Sequence, residues 1–141
     1  MASVRANNKI LRLLDANLNR LLEGLRVCEE ITRFLLCEPA LTRKFKTARH
    51  NVIKIIKKWE IQKHLLLASR DSCRDVGKTS IKSELTREDN KSIFFANIQR
   101  ATESLRVLEE FSKLSNQRIS GAFKKLRYAL YQLEKETSTR L

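Results

Sequence analysis

The sequence predicts an all-α fold in which two internally duplicated αα-hairpins pack as a four-helix domain with pseudo-twofold symmetry. Three observations predict it. Residues 15–34, DANLNRLLEGLRVCEEITRF, return as residues 94–114, FFANIQRATESLRVLEEFSKL. Aligning Asn17 with Asn97 also pairs Arg20 with Arg100, Glu23 with Glu103, Leu25 with Leu105, Arg26 with Arg106, Val27 with Val107, and Glu29-Glu30 with Glu109-Glu110. The segment after each copy repeats as well: Phe45-Lys46-Thr47-Ala48-Arg49-His50 answers Phe123-Lys124-Lys125-Leu126-Arg127-Tyr128, with a connecting loop that differs by two residues. The repeating unit is therefore a pair of elements. Third, one proline, three glycines and 6% aromatic residues suit helices, because strand-rich domains need more turn residues and more β-branched or aromatic side chains. Two copies are too few for a solenoid but sufficient for a four-helix arrangement.

The 141 residues fit one domain, 1–141, with repeat 1 over 8–68, an inter-repeat loop over 69–91 and repeat 2 over 92–137. The first helix is expected over 8–37, stopped at Glu38-Pro39 because the residue before proline disfavours helical angles. Leu11, Leu14, Leu18, Leu21, Leu22, Leu25 and Cys28 form one broad apolar face. A narrower strip holds Leu13, Val27, Ile31 and Phe34, and Arg20 falls within it, with Asn17 and Glu23 three residues to either side. The second copy places Arg100 beside Val107, Phe111 and Leu114, flanked by Asn97 and Glu103. An arginine in a buried strip requires a partner, since an unpaired buried charge is too costly to persist. Two readings are open: a buried network pairing Arg20 with Glu23 and Arg100 with Glu103, or each across the pseudo-twofold, or else a cleft where these arginines and asparagines hold an anion. Arg26, Glu29, Arg106 and Glu109 point elsewhere and read as solvated or inter-helix pairs.

The second helix is expected over 39–68, with proline in its first turn. Leu41, Phe45, Val52, Ile53, Ile56 and Trp59 form its buried side, and Arg43, Lys44, Lys46, Lys54, Lys57, Lys58 and Lys63 its basic one. Periodicity then fails over 69–91, SRDSCRDVGKTSIKSELTREDNK. Long loops in compact domains tend to be functional, and here Arg70, Asp71, Arg74, Asp75, Gly77 and Lys78 crowd together. Gly77-Lys78-Thr79 imitates the tail of a phosphate-binding P-loop, but Ser72 stands where that motif needs its first glycine and no strand precedes it. A glycine amide, a lysine and two carboxylates bind phosphate and magnesium by other geometry; the alternative is a polar turn with local Arg–Asp pairs. Thr86, Asp89 or Asn90 caps the third helix, which runs to about residue 114. Residues 115–117 turn the chain, and the fourth helix covers about 119–135 on Phe123, Leu126, Leu130 and Leu133, with a fraying tail from Thr137.

Lys and Arg number 29 against 16 Asp and Glu, a formal net charge of +13 that implies an anionic partner without saying which. No apolar run reaches a membrane span and MASVRANNK lacks an apolar signal core, so the expected location is cytoplasmic, with no membrane partner. Cys28, Cys37 and Cys73 lack C-x-x-C spacing and only two histidines accompany them, so zinc is not indicated and free, mostly buried thiols are expected. Without aromatic interleaving or a nucleic-acid-binding motif, the basic face of the second helix reads as solvated rather than as a nucleic-acid surface.

The ordered motifs DANLNR…EGLRV.EE..RF, RD…DVG, AN..R..E.LRVLEEF.KL and LRY.LY.LE resemble the helical hydroxymethylpyrimidine phosphate kinase domain often fused ahead of thiamine phosphate synthase. The resemblance covers about residues 10–134. It implies phosphoryl transfer from ATP, with Mg²⁺, to 4-amino-5-hydroxymethyl-2-methylpyrimidine phosphate. The nucleophile is already an anionic phosphate oxygen, so positioning and charge neutralisation suffice without a general base. Carried over by motif, Asn17, Arg20 and Glu23 match the first site stretch, Arg70, Asp71, Asp75 and Gly77 the second, and Asn97, Arg100 and Glu103 the third. The roles expected are phosphate contacts for Arg20 and Arg100, Mg²⁺ at Asp71 and Asp75, close backbone approach at Gly77 with Lys78 beside it, and the pyrimidine's amino edge at Asn97 or Asn17. Arg49 and Arg127 are further candidates for phosphate or for pairing between hairpins. The synthase barrel is not within these residues, so the domain is expected to act alone or with a separate thiamine phosphate synthase as partner; a homodimer is also compatible. A non-catalytic module that binds a thiamine precursor or docks a synthase is the alternative.

Overall fold

The computed structural model describes residues 7–141, and among them there is no strand. Most of the MASVRANNK stretch, residues 1–6, lies outside the described residues. Helix α1 spans Asn8–Glu30, with the Asn7 side chain accepting from the Lys9 and Ile10 amides at 3.0 and 3.3 Å. α2 spans Pro39–Trp59 and α3 Lys63–Ser69. A 3₁₀ turn, Ser72–Arg74, and the single-turn α4, Lys82–Leu85, occupy the inter-repeat loop. α5 covers Asn90–Ser112 and α6 Gln117–Ser138, capped by Asp89 and Asn116. The all-α class is as expected; the element count is six helices among the described residues rather than four.

The additional two are α3, split from the expected second helix, and α4 in the loop, and two expected helix ends also move. The first helix does not continue to residue 37. After Glu30 it widens into a π-helix, Ile31–Leu35, and the wider turn rotates the following residues off the α-helical stripe. Thr32 is thereby buried, donating to the Glu29 carbonyl at 2.9 Å and accepting from Thr42 at 3.1 Å. Phe34, expected in the narrow apolar strip, is 61% exposed instead. Leu114 is exposed for a related reason: α5 has already ended at Ser112. The second helix likewise stops at Trp59, where Glu60 turns left-handed at φ 60°. The Trp59 ring is buried edge-to-face on Phe123 at 5.7 Å, and its Nε1 donates to Ser115 Oγ at 3.0 Å. The corner lets the chain double back and bury Ile61 and Leu66 beneath α3, which lies on α1.

α1 and α5 are the central pair, running antiparallel: Cys28 meets the Phe94 carbonyl while Gly24 lies against the Asn97 carbonyl. α2 packs on α1, α6 on α5, and α2 on α6, closing one side of the pair. Leu14, Leu21, Leu25, Phe45, Val52, Phe94, Ile98, Leu105, Leu108, Phe123 and Leu130 form the sealed centre. Each such side chain contributes roughly 1.5–3 kcal/mol by leaving water. On α2 it is Ile55 that is buried, whereas Ile53, expected inside, is 41% exposed. Thr137, expected to fray, is buried and donates to the Leu133 carbonyl at 2.7 Å. The thiols are all free, but only Cys28 is buried; burial first, and then the charge of Glu134, push its pKa up to about 12. Cys37 and Cys73 are exposed, against the expectation of mostly buried thiols. No described helix is long and apolar enough to cross a membrane.

Candidate functional site

Helical spacing puts Asn17, Arg20 and Gly24 on one stripe of α1 and Asn97, Arg100 and Ser104 on one stripe of α5. The two stripes meet. A Cβ added at Gly24 would lie 2.8 Å from the Asn97 carbonyl oxygen and 3.4 Å from the Ala101 Cβ, so the backbones are pressed together there. Arg20 is about one turn from Gly24, and Arg100 lies within about one turn of Asn97 and Ala101. Both arginines therefore stand close to that contact, at its solvent edge. Neither is buried, contrary to the reading of their strips, and among the described residues neither pairs with a carboxylate. The expected Arg20–Glu23 and Arg100–Glu103 networks do not form; Glu103 instead accepts from Gln99 at 2.9 Å, and both glutamates are exposed. Asn17 and Asn97 make equivalent bonds, their amides donating to the Leu13 and Ile93 carbonyls at 2.9 and 2.8 Å. Each amide oxygen keeps its capacity to accept.

The inter-repeat loop is tied to α1 above this stripe. The Arg70 guanidinium forks onto buried Asp15 at 2.8 and 3.0 Å, and Arg12 donates to the Asp71 carbonyl at 2.7 Å. The Asp15 hydrogen bonds and charge raise the Arg70 pKa, with Glu23 adding to the same field. Arg70 is thus an anchor as well as a candidate ligand. Asp71 pairs with Arg74 at 3.3 Å, Asp75 Oδ1 accepts the Gly77 amide at 2.9 Å, and Lys78 folds back on the Cys73 carbonyl at 2.9 Å. Gly77 has no positive φ, and a Cβ there would meet only Asp75 Oδ1 at an ordinary 3.5 Å. Local backbone geometry gives no reason for a glycine at that position. Among the described residues no three His, Cys, Asp or Glu side chains gather around one point. Sequence reasoning missed Asp15, although its repeat equivalent is Phe95; a carboxylate where the other copy holds a phenyl ring is the signal that marks it.

A second set of polar residues is structural: of the two readings, solvated or inter-helix pairs, Glu29 and Glu109 follow the second. Glu29 and Glu109 are only 2% and 3% exposed. Arg49 of α2 holds Glu29 at 2.5 Å, and Arg127 of α6 holds Glu109 at 2.9 Å, each within its own hairpin. Arg26 and Arg106 cover the same carboxylates from outside at 3.6 and 3.2 Å. Thr32 and Ser112 donate to the Glu29 and Glu109 carbonyls, so the aligned positions of the two copies make the same bonds. Arg127 also donates to the Tyr131 hydroxyl at 3.1 Å. Both arginines are committed to pinning α1 to α2 and α5 to α6.

Burial pushes the Glu29 carboxyl up, but the hydrogen bond and charge of Arg49 outweigh it and hold it below the usual glutamate value. A depressed carboxylate stabilises the native state above its unfolded pKa, about 4.3, and loses that contribution as pH falls through the native value. The melting temperature should therefore fall as pH drops below about 4.5, and Glu29→Gln should cost about 2 kcal/mol at neutral pH while flattening that acid limb. Melts recorded between pH 3 and 7 on both proteins check this; an acid limb of unchanged steepness in the variant refutes it.

Two grooves lie on another face. α2 and α6 enclose grooves of ≈ 500 and ≈ 660 Å³, and neither is lined by the residues selected from the sequence.

Comparison with known proteins places these features in a family. No solved structure matches the chain. It is 36% identical over 133 residues to a thiamine-phosphate synthase of Rhodopirellula baltica, covering 94% of this chain and 35% of that protein. It is 40% identical over 126 residues to a thiamine-phosphate synthase of Synechocystis, covering 89% and 35%. A thiamine-phosphate synthase of Nostoc punctiforme is 41% identical over 126 residues, covering 89% and 34%. The chain thus spans about a third of the length of these curated relatives. The ThiD2 family matches residues 12–136, nearly the whole of the described chain, and the chain belongs to that family.

Proposed function

We propose that this domain serves thiamine biosynthesis as a kinase, moving the terminal phosphoryl group of ATP onto 4-amino-5-hydroxymethyl-2-methylpyrimidine phosphate. The observation that carries the reading is the pair of exposed arginines, Arg20 and Arg100, without carboxylate partners at the α1–α5 contact. Unsatisfied guanidinium forks suit phosphate oxygens. They lie in a ThiD2-family chain whose relatives bear the name thiamine-phosphate synthase.

In this reading a phosphate oxygen of the pyrimidine monophosphate attacks the terminal phosphorus of ATP. One P–O–P bond forms, the bond to the ADP oxygen breaks, and ADP leaves with the electron pair. No proton has to be removed from the nucleophile. Arg20 and Arg100 hold the two phosphate groups side by side and offset their mutual repulsion. The amide oxygen of half-buried Asn97, or of the buried Asn17, faces the pyrimidine's amino group. Glu23 and Glu103 bound the face at its outer edge, and Arg70, anchored on Asp15, holds the loop with Gly77 and Lys78 against the substrates.

The loop's donors fit Mg²⁺ in the way phosphate-bound magnesium is usually held, by one or two carboxylates plus substrate oxygens. Asp71 and Asp75 are both partly exposed, and Asp75 spends only one oxygen on the Gly77 amide. When bound there, Mg²⁺ would supply charge neutralisation on the transferred group. A thiamine phosphate synthase would consume the diphosphate.

The test is turnover: purified protein with ATP, Mg²⁺ and the pyrimidine monophosphate should yield ADP and the diphosphate in equal amounts. Folded protein that binds the monophosphate and makes no diphosphate would be a precursor-binding module instead.

A further inference from the structure

The basic excess of α2 is not used by the site on α1 and α5, and the structure shows where it goes. α2 and α6 run beside one another with alanines facing the crevice between them, Ala40 and Ala48 on one side and Ala122 and Ala129 on the other. Spacings of seven and eight residues keep each pair on a single stripe. Small side chains leave the crevice unfilled, so the two grooves join through Asn51, Leu126 and Ala129 into one trough. Its floor is apolar, with Ile55, Leu126 and Leu130 at its base. Between Ala40 and Lys58 the trough follows α2 for about 27 Å.

The rims are cationic. Arg43, Lys44, Lys54, Lys58, Arg118 and Lys125 line the trough against one carboxylate, Glu136, which Lys44 already holds at 2.5 Å. Among the described residues the other five cations pair with no carboxylate. A second copy of this chain, itself at +13, is the wrong occupant. A bare polyanion answers the rims but leaves the apolar floor unused.

We propose that the α2–α6 trough is a docking groove for an acidic amphipathic helix of a partner protein. Large apolar side chains enter between the alanines, as helix packing requires. Glutamates and aspartates on the shoulders of that helix meet Lys54, Lys58, Arg118 and Lys125. A helix of about 18 residues spans the trough. Docking here is independent of the phosphoryl-transfer reading, because it uses the opposite side of the molecule and a different measurement.

The probe is a fluorescent synthetic peptide of about 18 residues, with leucine every three or four positions and glutamate between. It should bind the full chain at about 150 mM salt and gain helicity on binding. Ala129→Trp fills the trough without changing charge at an exposed position, and should weaken binding about tenfold or more. The double variant Lys54→Glu with Lys125→Glu, also on exposed positions, should do the same. A scrambled peptide of equal charge should bind at least about tenfold less well. Equal affinity for the scrambled peptide, or undiminished binding by Ala129→Trp, overturns the proposal. So does an oligonucleotide that outcompetes the peptide and responds to the charge reversal alone, which would make the face a nucleic-acid surface.

Discussion

Gly24→Val should lower the melting temperature by about 10 °C, the largest change in stability expected from a single residue of α1. Glycine inside a helix is disfavoured by about 1 kcal/mol relative to alanine, so removing it would ordinarily help. Here the new Cβ would sit 2.8 Å from the Asn97 carbonyl oxygen. That neighbour is backbone in the middle of α5, so it cannot swing aside as a side-chain tip would. α1 and α5 must separate by several tenths of an ångström, and the core residues on both would lose contact along the whole seam. Overpacking of this kind costs typically 1–3 kcal/mol, which outweighs the gain in helix propensity. Valine adds two further methyl groups and β-branching, so the cost belongs at the top of that range. A graded series of Gly24→Ala and Gly24→Val, followed by thermal circular dichroism, reads it directly. A melting temperature that stays level through valine would mean that α1 and α5 are not pressed together at this point.

Arg100→Gln should reduce kcat about a hundredfold or more, and Arg20→Gln by a comparable factor, with melting temperatures close to wild type. The kinetic part rests on the phosphate contacts proposed for these residues; the stability part rests on their exposure. Neither arginine has a carboxylate partner among the described residues, so removing the charge orphans nothing inside the protein. Substitutions at such positions typically stay within about 0.5 kcal/mol. Arg100→Lys keeps the charge but loses the planar fork, and should recover only part of the rate. Steady-state kinetics with each substrate varied, beside a thermal melt, separate the outcomes. A destabilised protein with its rate intact would make the arginines structural; unchanged rate and stability together would place the phosphates elsewhere.

The helical class, a cap within Thr86, Asp89 and Asn90, and the buried Leu11, Leu14, Leu18, Leu21 and Leu25 stripe are legible in spacing and turn chemistry, while the structure chooses Asp89 and adds the cap at Asn116. These are local properties. The stop at Trp59 is not legible in that way, because Glu60 adopts its left-handed turn in order to bury Ile61 and Leu66, and nothing in the helical period announces that. The π-helix at Ile31–Leu35 is equally invisible, and it exposes Phe34, which a regular helix would have kept within the apolar strip.

For the candidate site, the sequence by itself showed which asparagines, arginines and glutamates recur and that the Arg70 to Lys78 loop lies between the copies, but not that Asp15 anchors that loop. Only the tertiary structure decided their states. Arg20 and Arg100 are exposed because α2 and α6 cover the other side of the α1–α5 pair, whereas Glu29 and Glu109, alike in composition and spacing, are sealed under Arg49 and Arg127. A helical wheel reports the direction in which a side chain leaves its own helix. Whether that direction meets water or another helix depends on contacts between residues far apart in the chain, and that is where charge is either free to bind or already spent.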